Sequence, residues 1–177
     1  MLRLISRFFL LSGYIFLFFG FYLVYLRYSP KLLSFESKPP AIATTPSKAP
    51  QKIEIPSIKV DLPIISAIKE GNRWETTHNG VSHLSSTPIP GQKGNSVLYG
   101  HNWGSLLADL PQIKPGQKVF VTFGNGKRQM FVVEYTAVVD PSESYIIDST
   151  KDTRITIYTC TGFLDSKRFV VVAKPVG

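Results

Sequence analysis

Cysteine is almost absent from this chain: Cys160 is the only one in 177 residues, so no intramolecular disulfide braces the fold. Acidic residues are scarce too, 12 against 20 lysines and arginines, for a formal charge of +8. That surplus is uneven. The first fifty residues hold Arg3, Arg7, Arg27, Lys31, Lys38 and Lys48 against Glu36 alone, which places +5 there and leaves +3 for the remainder. Basic residues bracketing an apolar stretch suit a membrane segment, whereas a nucleic-acid surface needs a basic face with stacking aromatics on the folded domain. No nucleic-acid partner is expected. The length allows one core and a modest appendage, and a second catalytic domain would not fit.

Charge is missing altogether between Phe8 and Leu26, FFLLSGYIFLFFGFYLVYL. As a helix this run covers about 28 Å, close to the ~30 Å hydrocarbon core of a bilayer. No Ala-x-Ala-like cleavage site follows it; the run ends in Val24, Tyr25, Leu26, Arg27 and Tyr28. Residues 1–27 are therefore expected to form an uncleaved, single-pass transmembrane helix. The flanking pairs Arg3/Arg7 and Arg27/Lys31 do not decide its orientation. Residues 28–51 turn to Pro, Ser, Thr, Ala and Lys, with proline at 30, 39, 40, 46 and 50, and read as a semi-extended linker.

Long helical patterns are lacking from residues 52–177. Short runs rich in Val, Ile, Tyr and Phe take their place: Lys52–Ile55, Ser96–Tyr99, Lys118–Phe123, Met130–Val139, Arg154–Thr159 and Arg168–Ala173. These predict strands. Pro90-Gly91 and Pro115-Gly116 mark turns, and Gly124-Asn125-Gly126 between two strand-like runs predicts a hairpin. Trp103, Leu106, Leu107 and Leu110 stand at helical spacing ahead of Pro111, which predicts one short helix. The expected fold is mainly β, a closed or nearly closed β-barrel with one or two short helices, because many short strands need their edges protected.

The lone thiol lies in Arg154–Gly162, RITIYTCTG, where a strand runs out into a Thr-Gly turn. A buried, inert cysteine is the plain reading of such a residue; a nearby cation or imidazole is what makes it a nucleophile. His101, in GNSVLYGHNWG, also sits at the mouth of a predicted strand, among small residues that let a substrate approach. His78 and His83 fall in polar, loop-like sequence. Arg168 opens the last strand eight positions after Cys160 and is in phase with Val170 and Val172, so two neighbouring strands would bring it and the thiol together on one face.

Joined in this order, the segments resemble the sortases over roughly Lys52–Pro175. IEIPSIKVDLPI (Ile53–Ile64) is similar to that family's opening Ile-x-Ile-Pro strand, and THNGVSHLSSTPIPGQKGNSVLYGHN to its Gly-rich approach to a Gly-His pair. DLPQIKPGQKVFV (Asp109–Val121) looks like its Leu-x-x-Leu-x-x-Gly-Asp-x-Val segment, with Gln117 where aspartate is common. ITIYTCTG matches Thr-Leu-x-Thr-Cys with Ile157 for leucine, and KRFVVVAKP the arginine-bearing last strand. The resemblance implies a sortase-type barrel outside the cytoplasmic membrane and a cysteine transpeptidase. Cys160 would attack a backbone carbonyl in a sorting motif such as Leu-Pro-x-Thr-Gly on a secreted protein. His101 would be general acid and then base, and Arg168 would hold the oxyanion. The thioacyl enzyme would be resolved by an amine, such as a cell-wall precursor or a pilin lysine. Thr159 would pack beside the thiol or bind substrate.

Several features are missing that rival readings need. An L,D-transpeptidase expects His-Gly shortly before the cysteine and arginine two residues after it; here Tyr158-Thr159 precede it and Phe163-Leu164 follow soon after. A non-enzymatic surface-binding β-domain would instead use Trp74, Trp103 and exposed tyrosines as its contact patch. Asp140, Glu143, Asp148 and Asp152 lack EF-hand spacing, so no metal or other cofactor is assigned and calcium is left open. No Asp-Pro-aromatic lid motif occurs between Tyr28 and Gln51, which favours an anchoring over a polymerising enzyme.

Overall fold

The computed structural model describes residues 2–27, 49–70 and 73–176. Its first element is helix α1 (Leu2–Arg27), whose described apolar side chains, from Phe9 to Tyr25, are largely exposed. Among the described residues no helix is long and apolar enough to cross a membrane. Most of the expected linker, residues 28–48, lies outside the described residues, and its end does not hold as drawn. Strand β1 (Pro50–Ile55) already begins at Pro50, paired with Phe123 of β7 (Lys118–Phe123). A strand's first residue is a position where proline's missing N–H is tolerated.

The opening segment Ile53–Ile64 divides into two strands. Pro56–Ile58 forms a 3-10 turn and Lys59 adopts a left-handed φ of 55°, which reverses the chain into β2 (Val60–Ala67), antiparallel to β1. A small hairpin, β3 (Lys69–Glu70) and β4 (Arg73–Trp74), stands outside the barrel. Next come β5 (Val81–Leu84), parallel to β2, and β6 (Gly94–Tyr99). β7 leads through the expected Gly124-Asn125-Gly126 hairpin into β8 (Arg128–Val139). β9 (Thr153–Thr161) and β10 (Lys167–Pro175) complete the set. The spatial order β1-β2-β5-β6-β9-β10-β8-β7 closes on itself, so each barrel strand has two neighbours and no edge is left for another chain to pair with.

Alternation along the strands sorts the core into two layers. Ile53, Ile64, Val81, Leu98, Val121, Phe131, Ile157 and Val171, drawn from all eight barrel strands, fill the interior. The opposite face of β6, β9 and β10 carries Tyr99, Tyr158, Cys160 and Val170, roofed by Trp74, Ile146 and Ile147. Burying each large apolar side chain contributes roughly 1.5–3 kcal/mol. Tyr99 and Tyr158 stack at 5.5 Å with Trp74 edge-on to both, so the layer that holds the thiol is built largely from rings.

The expected helix over Trp103–Leu110 does not form. The segment is a succession of turns, with Leu106 N–H donating to Trp103 O (2.8 Å) and Leu107 N–H to His101 O (3.1 Å), ending in a 3-10 turn at Leu110–Gln112. Asn102, Gly104 and Ser105 are poor helix formers and Pro111 removes a donor, while turns alone suffice to bury Leu106, Leu107 and Leu110. Among the described residues the barrel's short helical segments are all 3-10, and α1 is the one α-helix.

Candidate active site

Three strand ends converge on Cys160. β9 and β10 are antiparallel, and their register sets Cys160 directly opposite Arg168. β6 runs parallel to β9, with Tyr99 level with Tyr158, so the chain leaving β6 emerges at the same end. Gly100 N–H donates to Tyr158 O (3.3 Å), and the Thr159 hydroxyl donates to Gly100 O (2.8 Å), pinning the turn that carries His101. A Cβ on Gly100 would stand 3.1 Å from Leu107 Cδ1, tighter than most such contacts, so a larger residue before His101 would have to displace that leucine. Thr159 itself is fully buried and faces away from Cys160. Its hydroxyl is committed to the Gly100 carbonyl, so it positions the Gly-His turn and presents no group to substrate.

His101 is 5% exposed, and its Nε2 is buried with no hydrogen-bond partner among the described residues. Its ring stacks on Trp103 (4.4 Å, 9°) and meets His78 edge-on at 5.8 Å. Burial, with His78 second, pushes its pKa down to about 4, against the pull of Asp165. Cys160 is 4% exposed; burial pushes its thiol up to about 12, Arg168 opposing and Asp165 reinforcing the shift. Both shifts, driven by burial, favour a thiol and a neutral imidazole in the resting site at neutral pH. Slow alkylation at neutral pH consequently does not separate this cysteine from an inert one, as it would if the site held a standing thiolate.

Arg168, 2% exposed, donates from one terminal nitrogen to the carbonyls of Asp165 (3.1 Å) and Lys167 (3.0 Å), so a permanently charged fork lies buried beside the thiol. The loop between the two strands is tight. Leu164 and Asp165 both take left-handed φ, 50° and 60°, and the Asp165 carboxylate accepts from Asn102 Nδ2 at 2.6 Å. Backbone in this region is unusual for non-glycine residues and concentrates at functional sites.

A family model described as a sortase domain matches residues 53–176. The chain belongs to the sortase family. Sortase A from Listeria monocytogenes is 32% identical over 126 residues, covering 69% of this chain and 54% of that protein. This sortase chain thus spans about half the length of that relative. Among solved structures it is similar to sortase A from Corynebacterium diphtheriae (26% identity, TM-score 0.63, 80% of this chain and 63% of that one). It is also similar to sortase C-1 from Actinomyces oris (31%, 0.62, 72% and 73%).

Other sequence expectations for this sortase need revision. His83 lies in β5 rather than in a loop; it is 2% exposed, with Nε2 3.2 Å from Pro88 O. His78 does lie in a loop, as expected, and that loop sets its ring against those of His101 and Trp103. Trp74 is fully buried and offers no contact patch. Among the described residues no three His, Cys, Asp or Glu side chains gather as a metal site; Asp140 pairs with Lys167 (2.7 Å) and Asp152 with Arg154 (2.6 Å). Sequence reasoning passed over Asn102, Trp103 and Asp165 as members of the site. Asp165 had a legible signal, being the sole acidic residue between Cys160 and Arg168. Trp103 is only two residues from His101, but nothing in the sequence showed that its ring would stack there, and the meeting of His78 with His101 is tertiary.

Proposed function

We propose that this sortase is a cysteine transpeptidase that cleaves a sorting motif of the Leu-Pro-x-Thr-Gly kind on exported proteins and passes the acyl group to an amine. The observation that carries the reading is the cross-strand opposition of Cys160 and Arg168, with His101 delivered to the same end of the barrel. Because the resting pair is neutral, the thiol must lose its proton as it attacks, and the neutral His101 imidazole is the acceptor at hand. Sulfur bonds to the carbonyl carbon while the developing oxyanion meets the Arg168 fork, a contact of a kind that supplies ~3–4 kcal/mol in other acyl transfers. Collapse breaks the C–N bond, and the His101 imidazolium gives its proton to the departing amine. In the second half the acceptor amine attacks the thioester, His101 takes its proton, and the C–S bond breaks to return the cysteine.

The sorting substrate is a secreted protein, and the accepting amine is a cell-wall precursor or a pilin lysine. Residues 1–27 anchor the chain in the membrane, the segment from residue 28 up to β1 tethers it, and the barrel that opens at Pro50 is the catalytic domain, facing outward. What supports the anchor is the uncharged run Phe8–Leu26 and the exposure of the described apolar side chains from Phe9 to Tyr25. The test is product formation by the full chain in detergent, with fluorescent sorting-motif peptides and a panel of amines. Amine-dependent coupling that disappears in Cys160→Ala supports the reading; a rate indifferent to that substitution refutes it.

A further inference from the structure

Asp165 is tied to both partners of the thiol, through different atoms. Its side chain accepts a 2.6 Å hydrogen bond from Asn102, the residue next to His101, and so bridges the β6–β7 and β9–β10 loops. Its main-chain carbonyl accepts from the Arg168 guanidinium at 3.1 Å. It does this from a left-handed φ of 60°, next to Leu164 at 50°, in a loop that a relaxed backbone would not choose. No other acidic residue lies between Cys160 and Arg168 to compete for the place, and the one lysine there, Lys167, is paired with Asp140.

We propose that Asp165 is a positioning residue of the acyl-transfer site. Clamped by Asn102, its carboxylate biases the proton toward His101 and against the Cys160 thiolate, while its carbonyl aims the Arg168 fork. The inference rests on the transpeptidase reading above. The charged and titratable groups facing this centre are Cys160 and the buried Tyr158 from β9, Arg168 from β10, His101 from the β6–β7 loop and His78 from the segment before β5. His78 and Asp165 act on His101 with opposite sign, His78 disfavouring and Asp165 favouring the imidazolium. On Cys160, Arg168 favours the thiolate and Asp165 disfavours it. A carboxylate held there keeps the imidazolium available to protonate a leaving amine, at the expense of a standing thiolate.

Asp165→Asn removes the charge and keeps an oxygen for Asn102, whereas Asn102→Ala removes the clamp and keeps the charge. Asp165→Gly suits the left-handed backbone and also removes the charge, so it serves should the asparagine variant not fold. Two readouts on the full chain in detergent separate the cases. Below the thiol's midpoint, both Asp165 variants alkylate with iodoacetamide faster than the parent at fixed pH, by roughly threefold or more, the equivalent of about half a pH unit. The acid limb of single-turnover acylation moves to lower pH by a similar amount. Asn102→Ala gives smaller shifts of both. Profiles of the Asp165 variants that superimpose on the parent overturn the proposal, as does an equal acceleration by Asn102→Ala, which would assign the effect to loosening alone. A parent chain without acyl transfer sinks the transpeptidase reading and this inference with it, while an active parent with unshifted variants sinks the inference only.

Discussion

Cys160 and Arg168 stand opposite each other across the β9–β10 ladder, so the positive fork is held against the thiol by backbone pairing rather than by a flexible loop. Backbone register is costly to change, since a slip of one residue turns every side chain to the other face. The partnership is therefore as durable as the barrel itself.

From that opposition it follows that charge alone will not substitute at this position. Arg168→Lys keeps a cation but loses the planar fork that donates to the Asp165 and Lys167 carbonyls. Single-turnover acylation of a sorting peptide should fall by roughly 10²–10³-fold, with the fold intact by circular dichroism. A rate within a factor of about two of the parent would demote Arg168 to a structural charge.

The two buried histidines make opposite predictions. His101→Ala should cost about 10²–10⁴-fold in acyl transfer. His83→Ala should leave the chemistry close to the parent rate but lower stability by roughly 1–3 kcal/mol, because the Pro88 carbonyl loses its partner. Urea denaturation and peptide coupling measured on both variants check the pair, and the reverse pattern would exchange their assignments.

Acid should destabilise the fold through the same histidines. His101 has its pKa lowered from 6.5 to about 4 and His83 is also lowered, so between those values the unfolded chain takes up protons that the native state refuses. The sign is that stability contributed by the neutral rings is present above 6.5 and is lost as pH falls toward 4. Melting temperature measured from pH 7.5 to 4.5 should drop, and the drop should be shallower in His101→Gln.

On the alkaline side the thiol sets the trend. With Cys160 raised to about 12, the free enzyme should react with iodoacetamide more slowly than free cysteine at neutral pH. The rate should then climb about tenfold per pH unit without a plateau below pH 9, because only the thiolate reacts. A plateau near neutrality would show a standing thiolate and contradict the neutral resting pair.

Thr159→Val preserves shape and deletes the hydroxyl that holds the Gly100 carbonyl. A loss of roughly 1–3 kcal/mol in stability is expected, together with a lower kcat and little change in KM, since the turn that carries His101 loosens. An unchanged kcat would remove Thr159 from the positioning of the site.

Much of this arrangement was legible in the chain. Period-two patterning marked the strands around Cys160 and Arg168, and their eight-residue separation foretold the pairing. The end of the first strand at Ile55 was read from the pattern, but the return strand β2 was not, because its reversal depends on a left-handed Lys59 that no local period announces. The leucine spacing after Trp103 mimicked a helix because turns can bury the same residues. Strand β5 hid in a polar-looking segment, since Ser82 and His83 are buried there by the parallel partner β2, which no local period announces. The Asn102–Asp165 bridge and the approach of His78 to His101 arise only through tertiary closure.

The central claim is tested most directly by intact-mass spectrometry of the full chain, quenched in acid after mixing with a sorting-motif peptide and no amine. The account predicts an adduct with the mass of the acyl fragment, absent in Cys160→Ala and released by hydroxylamine, as a thioester on Cys160 requires. Peptide cleavage that proceeds without any adduct on the chain, or an adduct that survives the loss of Cys160, would contradict it.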